Sequence, residues 1–442
     1  MNFRFDDEAR PTTPVRSHGV MPFSPAELGS PPAPAATPAP GDASADRGRA
    51  PAPAGPRPVR HPARPHRLPE RIPASAAWQP GAPAGNRQFI DLGSLYLEAG
   101  GQLPAVTMAY ETWGELNADA SNAVLILHAL TGDSHVLGEA GEGHLSAGWW
   151  GDLVGPGKAI DTDKYFVVAP NVLGGCQGTT GPASPSPNGS PWGSRFPFLT
   201  TRDQVAAEAE LADRLGIFRW HAVVGGSVGG HRALEWAAGY PSRVGAVLAI
   251  ATAAQTSGDQ IAWAHPQILA IQGDPKYRGG DYYDAEDNDG PHVGLGIARQ
   301  IAHTTYRSAV EFDERFGRLP QGGEEPIGGQ GRFAVQSYLD HHGGKLARRF
   351  DANSYVILTH TMLTHDLGRN RGGVEAALAG ISARVLSIGV DSDRLFPAEQ
   401  AQAIAAGTGG EYVELTSAYG HDGFLIEFDQ LDPIVRTFLN EP

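Results

Sequence analysis

Short apolar runs alternating with amphipathic stretches organise this chain from residue 89 onward. Phe89-Ile90-Asp91-Leu92 and Leu95-Tyr96-Leu97 read as the arms of a hairpin, and residues 106–113 as a further strand. Apolar, β-rich runs follow at 124–128, 166–169, 222–225 and 247–251, with helical patterns near 203–214 and 228–239 between the later ones. That alternation implies a mostly parallel central sheet flanked by helices. It stops after Ala251. Residues 253–381 are mainly helical, interrupted by acidic, Gly-rich pieces such as Asp287-Asn288-Asp289-Gly290, and they have the form of an inserted cap. Sheet pattern resumes at 385–390 and 412–415, and a helix near 424–439 closes the chain. The expected division is a core in two parts, 86–252 and 382–442, with the cap at 253–381 between them.

Before residue 86 the pattern is different. Residues 1–85 are rich in Pro, Ala, Gly and Arg, show neither helical nor strand period, and read as a disordered tail. Ten arginines against seven acids make it slightly basic, in a chain whose formal net charge is −15. A net-negative body excludes general affinity for nucleic acid or acidic membranes, so an anionic substrate has to be met by particular arginines held in a site. No apolar run approaches the roughly 20 residues of a membrane span. The residues after Met1 lack the apolar stretch of a secretory signal, and one cysteine, Cys176, cannot form an intramolecular disulfide. A cytoplasmic location is expected, with Cys176 packing in a loop.

The most informative segment is Ala222-Val223-Val224-Gly225-Gly226-Ser227-Val228-Gly229-Gly230, a G-x-S-x-G string between an apolar strand and an Ala/Leu-rich helix. Such a turn strains the serine, brings the chain so close to itself that side chains at Gly225 and Gly229 would collide, and leaves Oγ exposed at a helix N-terminus. A serine hydroxyl needs a base, and the base needs a carboxylate to hold its tautomer. Where a G-x-S-x-G elbow carries the serine, the partners follow in the order Ser, then Asp or Glu, then His, each past the end of a strand. Asp391 and Asp393 both follow the strand at 385–390. Asp393 is preferred, although it could also cap a helix over 396–405. His421, on a glycine-flanked loop after the strand at 412–415, is the natural base. The oxyanion hole is expected from the N–H of Val228 and from that of Leu130, in the loop after the strand at 124–128.

These segments closely resemble the homoserine O-acetyltransferases, a branch of the α/β-hydrolase superfamily. The resemblance runs from about residue 88 to the C-terminus. It rests on Leu127-His128-Ala129-Leu130-Thr131-Gly132-Asp133-Ser134-His135, on residues 171–182, on Pro191-Trp192-Gly193-Ser194-Arg195-Phe196-Pro197, on the elbow with Ala233-Leu234-Glu235-Trp236, and on Tyr419-Gly420-His421-Asp422-Gly423-Phe424. One departure is Val228, where family members often carry methionine.

The resemblance implies an α/β-hydrolase fold with a helical cap and a ping-pong transfer of acetyl from acetyl-CoA, a co-substrate, through Ser227 to L-homoserine. It makes Arg299 the partner of the amino-acid carboxylate and Asp422 that of its ammonium group, with Tyr306 at the same entrance. From the residues alone, Arg299 could be a solvated ion-pair member, Asp422 a cap of the last helix and Tyr306 a core residue. No bound cofactor and no metal are expected, and a homodimer through the cap is. Succinyl transfer, a serine acceptor, a carboxylesterase and a non-catalytic binding protein are the competing readings.

Overall fold

The computed structural model describes residues 71–329 and 331–441. The long tail expected from composition therefore lies largely outside the described residues. Its last part, 71–85, is not disordered. Ile72 is buried and exchanges hydrogen bonds with Asn288, Ser75 Oγ donates to Asp351, Trp78 N–H donates to the Cys176 carbonyl, and the Trp78 ring stacks on Phe89. Asn288, Asp351 and Cys176 are remote in sequence, so no local period announces these contacts.

The chain begins its sheet with β1 (Gln88–Tyr96) and β2 (Gln102–Trp113), then adds β3 (Ala123–Leu127), a short pair β4 (Val154–Gly155) and β5 (Ile160–Asp161), and β6 (Phe166–Pro170). The expected hairpin within 89–97 is corrected here. Those residues form the single strand β1, irregular at Gly93, and the hairpin partner is β2. Gly93, at positive φ, interrupts the alternation and mimics a turn in the sequence.

After β6 come α1 (Thr201–Arg214), β7 (Trp220–Gly226), α2 (Val228–Gly239) and β8 (Val244–Ile250). The insertion that follows holds α3 (Gly258–Gln272), α4 (His292–Tyr306), α5 (Ala309–Arg315), α6 (Ala334–Ala347), α7 (Ala352–Leu363) and α8 (Val374–Ala379). The fold closes with β9 (Arg384–Val390), α9 (Ala398–Thr408), β10 (Glu411–Leu415) and α10 (Phe428–Asn440).

The eight-stranded sheet has the order β1-β2-β6-β3-β7-β8-β9-β10. It is antiparallel only where β2 meets β1 and β6. Burial on both faces explains the unbroken apolar runs of β3, β7 and β8. Alternate residues serve opposite layers. Leu125, Leu127, Val223 and Val247 pack under α1 and α2, whereas Val124, Ile126, Val224 and Leu248 pack with Leu431, Val435 and Phe438 of α10.

A third core belongs to the insertion, where Ile268, Ile271, Leu295, Leu346, Phe350 and Tyr355 close on Cys176 and Val172. Burial pushes the Cys176 thiol up to about 12, which keeps it protonated. The cap's own packing ends with α7. Ala377 and Leu378 of α8 sit in the core under the sheet with Ile404, so the boundary expected at 381 falls one helix late.

Candidate active site

Ser227 stands between β7 and α2 at φ 56°, ψ −127°, a backbone conformation that L-residues avoid. Its surroundings hold the strain in place. Ser227 N–H donates to the Ile250 carbonyl at 2.9 Å, and Thr252 Oγ1 donates to the Ser227 carbonyl at 2.7 Å. The crowding anticipated at the two glycines is present: a Cβ at Gly225 would lie 2.2 Å from Gly229 O, and one at Gly229 would lie 2.0 Å from Leu127 O.

Three distant residues meet at this turn. His421 Nε2 is 2.9 Å from Ser227 Oγ, and His421 Nδ1 is 2.6 Å from Asp393 Oδ2. The other oxygen of Asp393 accepts from the N–H groups of Leu395 and Phe396, so the carboxylate organises its own turn while it holds the imidazole. Helix α9 starts later, with Pro397 at its N-cap. Asp391 is engaged elsewhere, accepting from Ser417 N–H at 3.0 Å. Burial disfavours protonation of His421, but the Asp393 charge, its hydrogen bond and the nearby Asp422 charge outweigh it, and the pKa is raised above its ordinary value.

Ser227, Val228, Leu130, Arg299, Tyr306, His421 and Asp422 all line one cleft. The N–H groups of Val228 and Leu130 make no hydrogen bond to another described group, which leaves both free for a ligand oxygen. The Leu130 loop is braced from several directions. Arg232 donates to His128 O at 2.7 Å, Arg349 to Thr131 O at 2.7 Å, and Gly132 N–H to Ala129 O at 2.9 Å.

Arg299, on α4, has no carboxylate within ion-pair distance among the described residues. Its guanidinium reaches Thr131 Oγ1 at 3.4 Å and lies 4.9 Å from the centre of the Tyr306 ring. Asp422 does not cap the last helix, whose N-cap is Glu427. It faces Arg307, with 3.1 Å between Oδ2 and Nε. Burial raises the Asp422 pKa, and Arg307 opposes that rise. Tyr306 contributes its ring 6.0 Å from that of His421.

Sequence reasoning missed Arg307, Trp263, Gln260, Met362 and Leu395, of which all but Arg307 line the cleft. Arg307 directly follows Tyr306, but no spacing in the sequence shows that it faces a residue 115 positions later. The remaining four come from the cap or from the loop beyond Asp393, and only tertiary packing brings them to Ser227.

A separate group, Glu111, His135 and His144, is buried with ligand-type atoms close together. The imidazoles of His135 and His144 stack at 3.7 Å with planes 13° apart, so their in-plane lone pairs do not converge on one ion. Glu111 accepts instead from Ser134 Oγ and pairs with His135 Nδ1, which anchors the far end of the Leu130 loop.

Comparison with known proteins agrees with this architecture. A family model described as alpha/beta hydrolase fold matches residues 122–428. The homoserine O-acetyltransferase of Thermobifida fusca (strain YX) is 60% identical over 371 residues, which is 83% of this chain and 97% of that protein. The solved structure of a homoserine O-acetyltransferase from Bacillus anthracis superposes with a TM-score of 0.74 at 29% identity, covering 80% of this chain and 97% of that one. Esterase E22 gives the same TM-score at 27% identity, over 80% of this chain and 99% of its own. By sequence and by fold alike, the chain belongs to the homoserine O-acetyltransferase family of α/β-hydrolase-fold proteins.

Proposed function

We propose that this protein is a homoserine O-acetyltransferase of methionine biosynthesis that carries the acetyl group of acetyl-CoA on Ser227 and passes it to the hydroxyl of L-homoserine. The observation that carries the reading is the unbroken line from Ser227 Oγ through His421 to Asp393, in a cleft that also holds Arg299 and Asp422.

In the first half-reaction His421 Nε2 accepts the Ser227 proton as Oγ attacks the thioester carbonyl. The oxyanion that forms is met by the N–H groups of Val228 and Leu130. Collapse breaks the C–S bond, and His421 returns the proton to the departing sulfur, leaving acetyl-Ser227 and free CoA. In the second half-reaction the homoserine hydroxyl gives its proton to His421 and attacks the acetyl ester. Collapse then restores Ser227 with that proton and releases O-acetylhomoserine.

Arg299 has an unpaired guanidinium suited to the acceptor carboxylate, and Asp422 offers the ammonium group an anion. Arg307 opposes the rise that burial imposes on the Asp422 pKa, which favours the anion that the ammonium group would meet. Tyr306 closes the space beside Arg299. Acetyl rather than succinyl fits the acyl pocket, where Leu130, Val228, Met362 and Leu395 are apolar and Arg299 is the one arginine lining the cleft among the described residues.

A second reading, acetyl-ester hydrolysis, is favoured by the equal structural likeness to esterase E22. Water at about 55 M against an acceptor near 1 mM demands a preference of ~10⁵, roughly 6–7 kcal/mol, for efficient transfer. Following CoA release from acetyl-CoA with and without homoserine separates the two. Release at full rate without the acceptor would eliminate the transferase. Mass spectrometry of products from mixed acetyl- and succinyl-CoA with homoserine and serine should give O-acetylhomoserine as the main species.

The proposal includes a homodimer through the cap. Ile261 and Leu269 of α3 and Val293 and Ile297 of α4 are exposed apolar side chains at helical spacing on two helices that pack together. A cytoplasmic location belongs to the same proposal. Among the described residues no helix is long and apolar enough to cross a membrane.

A further inference from the structure

A CoA thioester brings several phosphate charges to a chain whose formal net charge is −15, so its docking depends on individual cations. Arg299 lines the cleft, but it stands beside Thr131 and Tyr306, where the acceptor carboxylate is expected. Another stretch of wall is built from Trp263 of α3 and Leu395 of the loop after β9. Over the Trp263 ring, 5.4 Å from its centre, lies the guanidinium of Arg394.

Arg394 is unlike most arginines of this fold. Arg243, Arg369, Arg371, Arg384 and Arg436 each hold a carboxylate. Arg394 is exposed, and among the described residues it has neither an ion pair nor a hydrogen bond. The acids near it in sequence, Asp391, Asp393 and Glu399, all stay outside ion-pair distance. Its N–H fork is thus unspent, while the indole face restricts where the fork can point.

The platform is also fixed. Gln260 Nε2 donates to Leu395 O at 2.8 Å and to Gln400 Oε1 at 3.0 Å, which ties α3 to the loop that carries Arg394. Arg394 directly follows Asp393, so the loop that carries the carboxylate partner of His421 also carries this guanidinium.

We infer that Arg394, stacked on Trp263 at the rim of the cleft, binds a phosphate of the acyl-CoA donor. The inference rests on the function proposed above and names the part of the donor that this rim receives. A planar, preorganised guanidinium pairs with two phosphate oxygens at once, which a lysine does not reproduce. The contact acts on the donor half-reaction and on no part of the acceptor.

The test compares acetyl-CoA with the acetyl thioester of N-acetylcysteamine, which has no phosphate, on wild type, Arg394→Ala and Arg394→Lys, with homoserine as acceptor. Arg394→Ala is expected to lower kcat/KM for acetyl-CoA about tenfold, chiefly through KM, and to lower the ratio of the two donors by the same factor. Arg394→Lys recovers part of the loss, and added salt raises the wild-type KM for acetyl-CoA more than that of Arg394→Ala. Equal loss on both donors, or no loss on acetyl-CoA, would overturn the phosphate contact and leave the transferase standing. A wild-type protein that makes no O-acetylhomoserine from acetyl-CoA would sink the function itself.

Discussion

His421 is the residue on which the proposed chemistry turns, and its charge state sets the pH dependence. As a base it works when neutral, so kcat/KM should rise with pH through its pKa. That pKa is raised, because the Asp393 and Asp422 charges overcome burial, and the acid limb should lie above the ordinary value of about 6.5. Asp422→Asn removes one raising charge and should move the limb to lower pH in a pH–rate profile. A limb that stays or moves upward contradicts this electrostatic account. Asp393→Asn keeps the shape of the site but favours the wrong imidazole tautomer, and kcat should fall about 10⁴-fold in a steady-state assay. The sequence left Asp393 with two readings, helix cap or partner of the imidazole. In the folded chain its two oxygens divide between a backbone turn and His421, which no linear pattern encodes.

At the scale of elements, the strand–turn–helix around Ser227 depends on close backbone contact. Gly229→Ala would put a methyl group 2.0 Å from Leu127 O, an atom fixed inside the sheet. The substitution should cost at least about 3 kcal/mol in denaturant unfolding, or prevent folding. Behind the turn, Arg232 pairs with Glu208 and also holds the His128 carbonyl, with both side chains buried. Glu208→Ala strands that cation and should cost about 3–5 kcal/mol by the same measurement. These elements were legible because β7, β8 and β9 are apolar runs, and glycines break β7 and an acidic turn breaks β9. β1 was misread because Gly93 breaks its alternation where a turn would.

At the scale of the molecule, residues 71–85 tie the start of the described chain to the cap through Ile72 and Ser75, and to the core through Trp78. A chain beginning at residue 86 should therefore melt several degrees below one beginning at residue 71, as read by calorimetry. The apolar stripes of α3 and α4 make a second expectation. Ile297→Asp should shift the protein to monomer in light scattering at fixed concentration, and a wild type already monomeric there would remove the dimer. The sequence by itself determined the succession of strands and helices, the strained serine and the order of its partners, because each follows from local period, steric need at glycine or position after a strand. Only the tertiary structure decided that Arg307 faces Asp422, that Arg394 rests on Trp263 and that Ser75 meets Asp351. Those pairs lie far apart along the chain, and their contact depends on how the cap packs over the sheet, for which periodicity carries no signal.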